Sequence, residues 1–259
     1  MPFSPNPLSN LSRLLSSSVM TLLPIIFIAG NCLQAKDLFI AAAADLESLQ
    51  TDVTAAFHKR SGAGLKFTIG ASGILEKQIE NGAPYDVFLS ANEQYVKDLA
   101  ASGAVDPTTV RTYAYGRLGL WSRDGRIRDV RQLLGKDVRN VAIANPEHAP
   151  YGAAAREFLT RHRLWRLLQP KIVYGENVRQ TLQYAESGNA DATITSWSLV
   201  VTRKDAVLLP ADHAPIAQAA GVVATSKQKA LARQFLDFLG SPAGRAILER
   251  HGLTVGRTE

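Results

Sequence analysis

The chain has 259 residues, 46% of them hydrophobic, 20% charged and 7% aromatic, and a formal net charge of +6. This composition excludes disordered and fibrous proteins, and the length suffices for a core without disulfide or metal staples. Positive charge is spread along the chain with no basic block carrying interleaved aromatics, which speaks against nucleic acid as a partner.

Residues 1–35 differ from the rest. They hold one charge, Arg13, an apolar run from Val19 to Ala29 broken by Thr21 and Pro24, and a polar stretch from Asn31 to Ala35. The run is shorter than the roughly 20 residues of a membrane span and reads as a signal peptide cleaved after Ala35, so the protein is expected in the periplasm. Cys32 raises lipidation as an alternative, but Asn31 stands where that chemistry favours a small residue. Cys32 is the sole cysteine. The mature chain therefore has no disulfide, no thiolate nucleophile and no Cys-ligated zinc.

From Lys36 onward short apolar runs alternate with amphipathic segments, the pattern of an α/β protein. Leu38 to Ala43 is a predicted strand, followed by a helix with Leu46, Leu49, Val53 and Phe57 on one face and Gly62 as its stop. A strand over Leu65–Ile69, a helix over Gly73–Asn81, a strand over Tyr85–Ser90 and a helix over Glu93–Ser102 come next. Tyr113 to Trp121 is extended, and the pattern then restarts. It continues with a helix near Arg128–Leu134, a strand over Val141–Ala144, a helix over Ala153–His162 and a strand over Lys171–Tyr174. A helix carrying Val178, Leu182 and Ala185 then leads to a strand over Asp191–Trp197. The C-terminal helix groups Leu231, Phe235, Phe238 and Leu239, and Ser241-Pro242 opens a last helix by cap and first-turn preference. Two lobes are expected, one from 36–115 and 212–259, the other from 116–211, with crossovers near Tyr115 and Ala211.

Enzyme signatures fail one by one. Gly70-Ala71-Ser72-Gly73-Ile74 lacks the final glycine of a nucleophile elbow, no phosphate-cradling loop occurs, and Gly62-Ala63-Gly64 is an incomplete dinucleotide fingerprint. The five histidines show no metal spacing, and of these only His148 falls in a candidate loop. Four other segments send a strand end into a helix N-terminus through small or hydroxyl residues: Ala43-Ala44-Asp45, Gly70-Ala71-Ser72-Gly73, Ala149-Pro150-Tyr151-Gly152 and Glu176-Asn177-Val178. Helix N-termini carry unpaired N–H groups and positive dipole ends, and ligands of open α/β sheets sit beyond the strands' carboxyl ends. Singly, each is an ordinary cap or turn; the four together suggest an anion cleft.

The segments Ala42-Ala43-Ala44-Asp45-Leu46, Ala71-Ser72-Gly73-Ile74-Leu75 and Asn81-Gly82-Ala83-Pro84-Tyr85-Asp86 resemble those of the molybdate-binding periplasmic proteins of ABC transporters. So do Asn145-Pro146-Glu147-His148-Ala149-Pro150-Tyr151-Gly152 and Glu176-Asn177-Val178-Arg179-Gln180, and the ending from Ser241-Pro242 to Gly252-Leu253 is similar to a tail common among periplasmic binding proteins. The resemblance spans Lys36 to Gly252. It implies a two-lobed type II periplasmic-binding-protein fold with no catalysis and no cofactor. Such a protein captures molybdate, and tungstate, by hinge closure and delivers it to a membrane permease as a monomer. By position it also implies an oxyanion held at Ala44, Asp45, Ser72, Tyr151, Val178 and Ser196, with Ser72, Tyr151 and the Val178 N–H as principal donors to the metal oxyanion.

Asp45 departs from the family, which has a hydroxyl or amide residue there. Either its carboxylate turns back to cap the helix starting at Leu46, the favoured reading, or the ligand differs. A site of neutral donors would bind with little dependence on pH near neutrality and disfavour phosphate, whose proton would find no acceptor. Sulfate or an organic acid is the rival ligand, although no dedicated arginine stands at the turns apart from Arg179. An enzyme using Asp45 and His148 as acid and base is the rival of another class.

Overall fold

The computed structural model describes residues 37–256. The leader expected over 1–35, with Cys32 and the cleavage point, lies outside the described residues.

The chain opens with β1 (Leu38–Ala43), a 3-10 turn (Ala44–Leu49) and α1 (Gln50–Ser61). The predicted single helix is thus a tight turn running into an α-helix, which ends where Gly62 takes φ 73° and donates its N–H to His58. Then come β2 (Leu65–Gly70), α2 (Ser72–Glu80), β3 (Val87–Ser90), α3 (Glu93–Ala101) and β4 (Arg111–Gly116). The extended stretch predicted from Tyr113 to Trp121 breaks at Arg117. Beyond it β5 (Leu118–Trp121) belongs to another sheet.

The second lobe continues with β6 (Val141–Ala144), α4 (Pro150–Arg161), α5 (Trp165–Leu168), β7 (Ile172–Gly175), α6 (Val178–Ser187), β8 (Ala192–Ser196), α7 (Trp197–Val200) and β9 (Val207–Leu208). Helix α4 starts three residues ahead of its predicted start because Pro150, with no N–H to lose, occupies its first turn. A strand the hydropathy pattern did not reveal, β10 (Ile216–Val222), returns the chain to the first sheet before α8 (Lys229–Gly240) and α9 (Pro242–Arg250).

The two sheets share a plan. The first has order β2-β1-β3-β10-β4 and the second β7-β6-β8-β5-β9. Each holds three parallel strands and one antiparallel strand beside them, β10 in the first and β5 in the second. Those two antiparallel strands are the ones that carry the chain between sheets. Arg117 ties the crossings together by donating from its guanidinium to the Leu209 carbonyl at 3.1 Å.

Apart from the exposed Phe39 near the start of β1, strands β1 and β6 are buried on both faces and so read as continuous small or apolar residues rather than alternating ones. In the first lobe Phe57 of α1 packs against Phe235 and Phe238 of α8 at centroid distances of 5.2 and 5.7 Å, which locks the N-terminal helix to the C-terminal one. In the second, Phe158, Leu159 and Ala155 of α4 pack with Leu118, Ile143 and Ile194. In every parallel pair the carboxyl ends point the same way. The turns leaving β1, β2, β6 and β7 accordingly converge on the space between the lobes.

Candidate functional site

A small cavity of about 10 Å³ lies at this convergence, lined by Ala43, Ala44, Asp45, Gly70, Ala71, Ser72, Ala91, Ala149, Pro150, Tyr151, Asn177 and Val178. All four segments singled out in the sequence meet there. Helices α2, α4 and α6 begin at its wall, at Ser72, Pro150 and Val178. The backbone N–H groups of Ser72, Tyr151 and Val178 have no protein acceptor among the described residues, as first-turn amides do not. Asn177 sets the last of these helices: its side chain accepts from the N–H groups of Arg179 and Gln180 and leaves that of Val178 for the cavity.

Ser72 is not the cap of its helix, because Ala71 holds that position. Its buried hydroxyl accepts from the Ala91 N–H at 3.0 Å, and its own hydrogen has no acceptor among the described residues. Gly73 follows for a steric reason. Its N–H donates to the His148 carbonyl of the other lobe at 3.0 Å, and a Cβ there would stand 3.0 Å from that oxygen. His148 thus meets the first lobe through its backbone.

Two expectations are corrected. Asp45 does not cap: the turn begins at Ala44, so Asp45 sits inside it with no capping bond. Its side chain reaches the other lobe, where Oδ2 accepts from the Tyr151 hydroxyl at 2.9 Å, and within its own lobe Oδ2 accepts from Gln218 Nε2 of β10 at 2.8 Å. The Tyr151 phenol therefore gives its hydrogen to Asp45, and what Tyr151 can offer an anion is its N–H. Ser196, expected at the ion, does not line the cavity. It caps α7, with its hydroxyl accepting from the Ser198 N–H and bonded to the Ser198 hydroxyl at 2.8 Å.

Behind the cavity runs a buried polar relay that the sequence did not reveal. Tyr113 donates to Gln218 Oε1 at 3.2 Å, Gln218 donates to Asp45 and also lies 3.2 Å from the Tyr151 oxygen, and Ser198 donates to the Asp45 carbonyl at 2.6 Å. A lone glutamine in the small-residue run Ile216-Ala217-Gln218-Ala219-Ala220 was the one available signal, since a buried strand rarely carries an amide without a partner. Asp45 is fully buried, and Oδ1 has no hydrogen-bond partner among the described residues. Burial pushes its carboxyl up to about 6, against the pull of the bonds from Tyr151, its own N–H and Gln218. Burial and the facing Asp45 also raise the Tyr113 and Tyr151 phenols well above their ordinary value, so both stay neutral.

At the rim Arg179 pairs with Glu47 across the lobes at 2.8 Å and with Glu186 of its own helix at 3.0 Å. It is thus a paired charge outside the cavity lining. Among the described residues no cluster of three or more His, Cys, Asp or Glu side chains is placed to hold a bare metal cation, and no helix is long and apolar enough to cross a membrane.

Two α/β lobes joined by crossing strands and closed over a small cavity of backbone donors define a bilobal solute-binding protein. Residues 38–254 match the bacterial extracellular solute-binding proteins, and the chain belongs to that family of binders rather than catalysts. The molybdate-binding protein ModA of Rhodobacter capsulatus is 35% identical over 222 residues, covering 84% of this chain and 88% of that protein. The structure of the periplasmic molybdate-binding protein of Azotobacter vinelandii superposes with a TM-score of 0.80 at 31% identity, over 85% of this chain and all of that one. The sulfate-binding protein SubI of Mycobacterium tuberculosis shares the fold, with a TM-score of 0.68 at 17% identity over 84% of this chain and 86% of that one.

Proposed function

We propose that this protein captures molybdate, and tungstate, between its lobes and hands it to the membrane permease of an ABC transporter. It works in the periplasm after removal of residues 1–35, and as a monomer. The observation that carries the reading is the convergence of three helix N-termini and one tight turn on a single small cavity, with the unpaired N–H groups of Ser72, Tyr151 and Val178 and the Ser72 hydroxyl at its wall. Oriented amides bind oxyanions without a cation, and a cavity of fixed size selects among tetrahedral anions by metal–oxygen or sulfur–oxygen length. The molybdate-binding relatives support the choice of ion. The residues assigned to the ion are Asp45, Ser72, Tyr151 and Val178, with Ala44 at the wall. Ser196 acts behind them through Ser198.

Closure on the ion is carried by the bonds that span the lobes: Gly73 to His148, Tyr151 to Asp45, and Ser198 to the Asp45 carbonyl. The test is thermal unfolding of the mature protein with molybdate, tungstate, sulfate or phosphate. A ligand at 1,000 times its dissociation constant adds about 4 kcal/mol of stability. A rise with molybdate and tungstate is expected; a rise with sulfate alone, or none with any of the four, would refute the assignment.

A further inference from the structure

Asp45 stands at the wall of an anion cavity, where an ionised carboxylate should repel a dianion. Its two oxygens are used very differently. Oδ2 is saturated by the Tyr151 hydroxyl and Gln218, whereas Oδ1 is buried and unpartnered in a residue that lines the cavity. A buried carboxylate oxygen left without a donor is costly unless something arrives to complete it. Among the described residues both side-chain donors, Tyr151 and Gln218, go to Oδ2 and no hydrogen bond reaches Oδ1.

The charged groups around the turn do not neutralise it. Tyr151 of α4, Tyr113 of β4 behind Gln218 of β10, and Ser198 of α7 are uncharged. Arg179 of α6 is taken by Glu47, on the same turn as Asp45, and by Glu186. From α1, β1 and β2 no cation comes within ion-pair distance of Asp45 among the described residues. His148, on the loop before α4, presents its backbone carbonyl to the first lobe, bonded to Gly73.

We infer that the oxyanion binds together with one proton, held between Asp45 Oδ1 and an oxygen of the anion, so that Asp45 makes capture proton-coupled. The inference rests on the oxyanion reading above and deepens it. One proton is taken from solvent for each dianion bound; it removes the repulsion and turns the unpartnered oxygen into one end of a hydrogen bond. The site is then not the donor-only cavity expected from the sequence. The sign follows from linkage. In the ligand-free protein the Asp45 carboxyl titrates near 6, and a neighbouring dianion raises it further. Between the two values binding takes up a proton, and affinity falls as pH rises.

The experiment is calorimetric titration of the intact mature protein with sodium molybdate from pH 6.5 to 8.5, in two buffers of different ionisation enthalpy, for wild type and Asp45→Asn. For wild type, affinity is expected to fall about tenfold per pH unit, with close to one proton taken up per ion. Asn keeps an oxygen for Tyr151 and Gln218 and places an N–H where Oδ1 stood. This variant should bind with less than about twofold change over the range and no proton uptake. Molybdate binding by wild type that is flat with pH and releases or absorbs no proton would overturn the inference and leave the proposed function standing. The same slope in Asp45→Asn would also overturn it, by assigning the proton to another group such as His148. Absence of molybdate binding at every pH would overturn both readings together.

Discussion

Replacing Asp45 by Asn in the ligand-free protein should raise stability, and by an amount that depends on pH. The carboxyl moves from an ordinary 3.8 to about 6 on folding, because burial disfavours its charge. A group raised in the folded state contributes its full stability below the unfolded value and loses it as pH climbs through the folded one. A shift of about two pH units corresponds to roughly 3 kcal/mol lost by the wild type between pH 4 and pH 8. Asn has no charge to bury and keeps the bonds from Tyr151 and Gln218. Relative to wild type the variant should therefore gain about 3 kcal/mol over that interval, the other titrating groups being common to both chains. Urea unfolding followed by tryptophan fluorescence at pH 4, 6 and 8 measures it. Parallel stability curves for the two proteins would refute the reasoning, since they would mean that Asp45 is solvated when no ion is bound.

Three further outcomes are expected. Gly73→Ala places a Cβ 3.0 Å from the His148 carbonyl and 3.2 Å from its Cα, so the lobes must part by a few tenths of an ångström. Molybdate affinity should drop while the unfolding midpoint holds or rises, alanine being the better helix former by about 1 kcal/mol; an unchanged dissociation constant would contradict this. Asn177→Ala removes the acceptor of two N–H groups at the start of α6, at a cost of about 1 kcal/mol, and should weaken the ion through the neighbouring Val178 N–H. Stability loss with unaltered affinity would show that this helix end does not hold the ligand. Gly152→Ala drives a Cβ to 2.1 Å from the Ala144 carbonyl, a backbone atom that cannot yield cheaply. Urea denaturation should show a loss of about 2 kcal/mol or more, and a wild-type midpoint would count against the packing of α4 on β6.

The outline of this protein was determined by local sequence. Alternation of apolar strands and amphipathic helices was enough for an α/β chain, and Gly62 after Phe57 and Ser241-Pro242 placed helix ends where the backbone puts them. The four turns were legible for the same local reason: a strand that ends in small residues and passes into a helix exposes amides whatever surrounds it. Side-chain roles were not legible. A 3-10 start at Ala44 instead of a cap at Asp45 is a difference of one residue, yet it sends the carboxylate across the cleft rather than back onto its own helix. Gln218 meets Asp45 from 173 positions away, on a strand whose alanines and glycine carry no clear period. The break at Arg117 likewise depends on which sheet each half of an extended segment joins, a matter of strand order. Backbone donors follow from short-range geometry, which the sequence carries. Whether a buried carboxylate is paired, and by what, depends on contacts between the two lobes, and only the tertiary structure decides that.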